Sequence, residues 1–175
     1  MTNTMQRSAR REMAAALCCT VLLAGLFSQV EIQIEGAAGW ATNLPTWRIE
    51  QHWLLDIFFG SRPMTGYHAF MLPFIALFFH FPLCFALGQW TLRRECLVVA
   101  CLIAFWIIED FLWFATNPAF GLGRFNAASI PWHKHWLGFA PLDYWTFSAI
   151  VVALLAYSCS AARTSPLQQA AGRAR

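Results

Sequence analysis

Two adjacent acids, Glu109 and Asp110, stand inside a run from Cys96 to Thr116 that is otherwise apolar and long enough to cross a bilayer, which takes about 20 residues at 1.5 Å each. Insertion scales put an acid near the centre of a membrane helix at roughly +2.5 to +3.5 kcal/mol. No Lys or Arg in the run offsets either charge, so partners must come from elsewhere in the chain. The residues of suitable type are His68 at the mouth of the second apolar run, Asp143 at the start of the last, and Glu31 and Glu35 one helical turn apart at the end of the first. His133 and His135, in the stretch Trp132-His-Lys-His-Trp136, hang in the loop above them.

Three chemistries suit these residue types. The first is metal ligation, because carboxylates and imidazoles together hold zinc, iron, manganese or copper, and bundle cores place such ligands on facing helices. Glu109, Asp110, His133 and His135 are the candidate ligands. The two histidines share a side only in an extended segment, and no Glu-x-x-His or His-Glu-x-x-His pattern accompanies them. The second is acid–base chemistry, in which buried neighbouring carboxyls serve as proton carrier or general acid; Glu109 and Asp110 would do this with His68 or His133 as the base. The third is headgroup recognition. Arg48, Arg62 and Arg124 supply cations that pair bidentately with phosphate or carboxylate, and Trp113 and Asp143 complete the expected substrate-binding set.

Plainer roles compete with each of these. Trp132 to Trp136 can act as an interfacial anchor of aromatic rings and snorkelling cations. Glu109 and Asp110 can be structural, satisfied by Arg48, Arg62, Arg124 or Lys134. Neighbouring helical positions point about 100° apart, so one acid can be structural and the other functional. His80 lies deep in the second run and is a functional candidate by its depth alone, or the partner of a carbonyl freed by Pro82. A haem with two histidine ligands needs a second histidine at that depth, and none exists, so no haem is expected.

The elements that must position these residues follow from composition. The chain is 58% hydrophobic and 12% charged, where soluble domains carry about 25% charged residues, so lipid is its main solvent. A dispersed net charge of +3 excludes nucleic acid as a partner. The expected fold is an all-α integral membrane four-helix bundle. A single transmembrane domain over residues 1–160 has spans at about 13–34, 67–90, 96–116 and 141–158, and a disordered basic tail covers 161–175. The first span reads as an uncleaved anchor. Between the first two spans, an amphipathic helix over 47–59 is expected to lie at the interface, followed by a turn from Gly60 to Gly66.

Eight of the twelve Lys and Arg fall in the N-terminal segment, the Arg93-Arg94 link and the tail, which predicts both termini in the cytoplasm and both long loops outside an inner membrane. The six cysteines then sit in the cytoplasmic half, which excludes an outward-facing thiol oxidase. The functional expectation is an outward-facing carboxylate and histidine pocket acting on a lipid or other membrane-soluble substrate, with a divalent metal as an option. The alternative is a non-catalytic transport or assembly component whose buried acids fasten helices together. Oligomeric state is not encoded in any pattern of the chain.

Overall fold

The computed structural model describes residues 2–59, 62–85 and 90–160; the expected tail at 161–175 lies outside the described residues. The chain runs α1 (Thr2–Glu35), β1 (Arg48–Ile49), α2 (Trp53–Phe58), β2 (Met64–Thr65), α3 (Gly66–Phe85), α4 (Leu92–Thr116), a 3-10 turn at Leu122–Arg124, β3 (Trp136–Leu137), β4 (Ala140–Pro141) and α5 (Leu142–Ser160). Four of the helices, α1, α3, α4 and α5, are long and apolar enough to cross a membrane. The strands form two small antiparallel ribbons, β1 with β2 and β3 with β4.

α4 is the central element. In its apolar window 44% of residues are buried, against 11 to 17% in the other three helices. It starts where Thr91 accepts a hydrogen bond from the Arg94 amide, and it stops at Asn117 because a residue before proline is pushed out of the helical region. Towards one end Phe105 packs with Ala24 of α1 and Ile75 of α3; towards the other, Trp113 and Phe114 pack with Ile32 and with Ile130 of the loop that follows. The outer faces remain apolar. On α3, Phe70, Phe74, Leu77, Phe81 and Phe85 recur at helical spacing and are 58 to 74% exposed, an apolar stripe that lipid would cover.

Polar contacts tie the bundle at both ends. At one end Arg93 pairs with Glu12 at 3.1 Å and donates to the Ser158 carbonyl at 2.9 Å, joining α4 to α1 and α5. At that same end His80 of α3 meets Glu95 of α4 at 2.9 Å, with its other nitrogen on the Ala76 carbonyl. At the opposite end Gly36 takes a positive φ to end α1, and the Asn117 side chain donates to its carbonyl at 2.8 Å while accepting from Ala119 at 2.9 Å.

Several expected boundaries change. The interfacial helix over 47–59 shrinks to Trp53–Phe58, because the His52 ring caps the Leu54 amide there and Arg48–Ile49 pairs instead with Met64–Thr65. That ribbon also takes the second half of the turn expected from Gly60 to Gly66, with residues 60 and 61 outside the described residues. Gly66 is tight against Thr46 and the Trp47 indole, so only a residue without Cβ lets the chain close there. The second span is described as far as Phe85, its expected continuation over 86–89 lies outside the described residues and Trp90 is not helical, and the third begins at Leu92 because Thr91 caps it.

Asn117 is 2% exposed and satisfies groups from two segments at once. We expect Asn117→Ala to leave these without partners and to destabilise the fold by about 1–3 kcal/mol. A clear fall in unfolding temperature in detergent is the expected result, and an unchanged one would show that the α1–α4 junction does not depend on this side chain.

Candidate functional site

The site is assembled at the end of the bundle where α1 and α4 finish and α3 and α5 begin. Successive residues of α4 place Glu109 and Trp113 on one face, one turn apart, with Asp110 about 100° round the helix. α5 starts directly after β4, and its first turn carries Asp143 and Tyr144. Between α4 and α5 the chain folds over the bundle, held by Ile130, which is fully buried, and by Trp132 stacked on Phe114 at 5.8 Å. This loop delivers His133, 5% exposed, between the two helices.

Both His133 nitrogens face carboxylates. Nε2 lies 3.1 Å from Asp110 Oδ2 and Nδ1 lies 3.1 Å from Asp143 Oδ2. Tyr144 donates its hydroxyl to the same Asp110 oxygen, and Arg62 reaches the same Asp143 oxygen at 3.5 Å. A ring that meets a carboxylate at each nitrogen satisfies both only by carrying both protons. Burial pushes against that charge, but Asp110 and Asp143 outweigh it and lift the His133 pKa from 6.5 to about 9.

A second stack faces this one. The Arg62 guanidinium lies 4.4 Å over Trp40, and the Trp40 ring stacks on His68 at 4.0 Å and 22°. His68 Nδ1 is 2.7 Å from the Thr65 hydroxyl. Trp40 and Ala41 both take positive φ, 55° and 51°, a conformation that costs a residue with Cβ about 1–2 kcal/mol. It is held from both sides: the Ala41 amide donates to Glu35 at 2.5 Å, and Arg48 donates to the Ala41 carbonyl. Tyr67 donates to Glu31 at 2.6 Å.

These groups surround a cavity of about 260 Å³. Its wall is graded along α4, from Ile103, Trp106 and Ile107 to Glu109, Asp110 and Trp113, and Met71, Leu72 and Phe147 extend the apolar part. Five carboxyls line it (Glu31, Glu35, Glu109, Asp110 and Asp143). Four have the partners just described. The carboxyl of Glu109, 3% exposed, is hydrogen-bonded with that of Glu31 but has no partner for Oε1, and the indole nitrogen of Trp113, also 3% exposed, has none either.

Of the residues expected from sequence to form a site, Glu109, Asp110, His68, His133, Asp143, Arg62 and Trp113 all line this cavity. Arg48 and Arg124 do not; they donate to loop carbonyls at Thr42 and Ala119, at 3.0 and 2.9 Å. The expected metal quartet is divided, since His133 is buried between aspartates while His135, two residues on, is exposed. Among the described residues no group of three or more His, Cys, Asp or Glu is placed to hold a metal ion, and His133 as arranged has no free lone pair to offer one. Tyr144, Tyr67 and Trp40 complete the site without having been singled out by sequence reasoning. The signal for the tyrosines was their position beside Asp143 and His68.

The raised His133 pKa makes stability depend on pH. Because the folded value stands above the ordinary one, the stabilisation is complete below about pH 6.5 and is lost as pH rises through about 9. A rise of that size corresponds to on the order of 3 kcal/mol. We expect the unfolding temperature in detergent to fall across this window in the wild-type chain, and His133→Gln to start lower and change less. Parallel curves for the two proteins would show that the ring is not held as a cation.

Comparison with known protein families, curated proteins and solved structures finds no match, so the reading of this site rests on its geometry.

Proposed function

We propose that the protein is a multi-pass membrane enzyme of the cytoplasmic membrane, acting on a lipid or other membrane-soluble substrate from a cavity that faces outward. The observation that carries this is the graded cavity. Apolar residues of α3, α4 and α5 line one part, and a buried histidine between two aspartates, with a glutamate close by that has one unpartnered oxygen, lines the other. Such a wall suits an amphiphile whose chain lies against Met71, Ile103 and Ile107 and whose polar group reaches Glu109. The outward orientation is supported by the distribution of Lys and Arg, eight of twelve lying at the termini and the Arg93-Arg94 link.

The roles follow from what each group can still do. Glu109 has an oxygen without a protein partner, through which its carboxyl can exchange a proton with the substrate. His133 carries two protons at neutral pH and so acts as proton donor or as the positive charge that stabilises developing negative charge, not as the base. Asp110, Asp143 and Tyr144 hold it in place. Arg62, stacked on Trp40, braces Asp143 from the opposite wall.

One observation favours a second reading, in which the acids are purely structural. The bonds from Tyr144 and His133 to Asp110, and from His133 to Asp143, join α4 to α5 and to the intervening loop, as fasteners would. Glu109 separates the two readings, because its Oε1 is left over after its carboxyl has met Glu31 of α1, a contact that Gln can keep. Purified protein incubated in vesicles made from total bacterial lipid, followed by mass spectrometry of the extract, should yield a product that Glu109→Gln reduces by about 10²–10⁴-fold at unchanged unfolding temperature. No product from the wild-type chain, together with a loss of stability in Asp110→Asn, would leave only the structural reading.

A further inference from the structure

Among the described residues, the buried side-chain polar atoms left without partners are one oxygen of a carboxyl otherwise bonded to Glu31 and one indole N–H, and they come from one helix face. Glu109 Oε1 and Trp113 Nε1 belong to residues one turn apart, where side chains are neighbours about 5–6 Å apart at Cβ. Each residue is 3% exposed and each lines the cavity. A buried polar group without a partner is costly, and native structures rarely keep two side by side unless something else satisfies them.

The chemistry of that missing group is constrained. A carboxylate or phosphate offers only acceptors, so it would serve the Trp113 N–H while adding a further anion to a cavity already lined by Glu31, Glu35, Glu109, Asp110 and Asp143. The remaining electrostatics also disfavour an anion. Carboxyls outnumber the lining cations Arg62 and His133 by five to two, and both cations are already engaged with aspartates. Arg48 and Arg124 are committed to loop carbonyls, so neither is available for a headgroup phosphate. An ammonium offers only donors, which would serve Glu109 but leave the indole N–H unpaired and facing a cation. A hydroxyl has one donor and two lone pairs, and so can donate to Glu109 and accept from Trp113 at once.

We infer that Glu109 and Trp113 form the head-group subsite of this cavity for an uncharged alcohol, and that the ligand is a long-chain alcohol whose chain lies along Ile103, Trp106 and Ile107. This rests on the reading of the cavity as a ligand site and narrows it to a class. The space of about 260 Å³ corresponds to roughly nine water-sized volumes. That holds a hydroxyl and the first part of a chain, with the rest continuing past the apolar lining.

The test uses the full chain in phosphatidylcholine nanodiscs, with binding of tritiated dodecan-1-ol measured against empty discs and displaced by unlabelled dodecan-1-ol, dodecylamine or dodecanoate. The expected result is saturable binding displaced best by the alcohol. Trp113→Phe, which keeps a ring but removes the N–H, should weaken it by about five- to tenfold. Equal or better displacement by the amine or the acid would overturn the inference, as would unchanged affinity in Trp113→Phe. Alcohol binding without conversion of any lipid supports the subsite while removing the enzymatic reading. Lipid conversion that depends on Glu109, with no alcohol binding, overturns the subsite alone.

Discussion

The His133 ring, with a carboxylate at each nitrogen, is the contact on which the arrangement of this end of the molecule depends. It resolves a problem that α4 creates by carrying Asp110 into an apolar helix, where an unpaired charge is expensive. The loop after α4 brings the positive ring to the acid, and α5 brings a second acid to the other side of the ring. Three segments are thereby joined through one imidazole. A buried charge pair of this kind stabilises little by itself relative to apolar packing, but loss of one member strands the others. Its main effect is therefore to specify which way the loop folds over the bundle.

Opposite this clamp the loop between α1 and α3 makes its own wall by different means. Aromatic stacking replaces ion pairing: Arg62, Trp40 and His68 lie one upon another, and the left-handed backbone at Trp40 and Ala41 turns the indole into place. The strain is opposed by Glu35 on the Ala41 amide and Arg48 on its carbonyl. The two walls meet where Arg62 touches Asp143 at the start of α5 and where the Trp132 ring lies against Gly39. The floor needs no such devices, since Ile103, Trp106 and Ile107 are ordinary apolar residues of a helix with few other ways to be satisfied.

Much of this was legible from the order of residues. A charge in an apolar run demands a partner, so Glu109 and Asp110 called for company from a set that held His68, His133, Asp143, Arg62 and Lys134 among others before any geometry was known. Other parts were not legible. Arg48 and Arg124 had the right charge and position to face a ligand, but loop backbones leave carbonyls without partners, and nearby guanidinium groups are drawn to them. His133 and His135 are equivalent as letters and opposite in role, because the chain turns from Ile130 to His133 before it enters the β3 ribbon and so does not keep residues two apart on one face as a regular strand would. The helix expected over 47–59 gave way to a short ribbon because pairing with a distant segment outweighed a local periodicity.

Hydrophobic length and charge spacing are properties of consecutive residues, and they were enough to determine four membrane-length helices, their breaks near Gly36, Thr91 and Asn117, and the acids that would need company. The identity of that company was decided only by tertiary structure. Whether Asp110 meets a histidine, an arginine or a tyrosine depends on the path of loops and on rotamers across 23 and 34 residues of chain, which no local pattern encodes. The same holds for the unpartnered pair at Glu109 and Trp113, since the absence of a neighbour is known only when every element that could supply one has been packed in place.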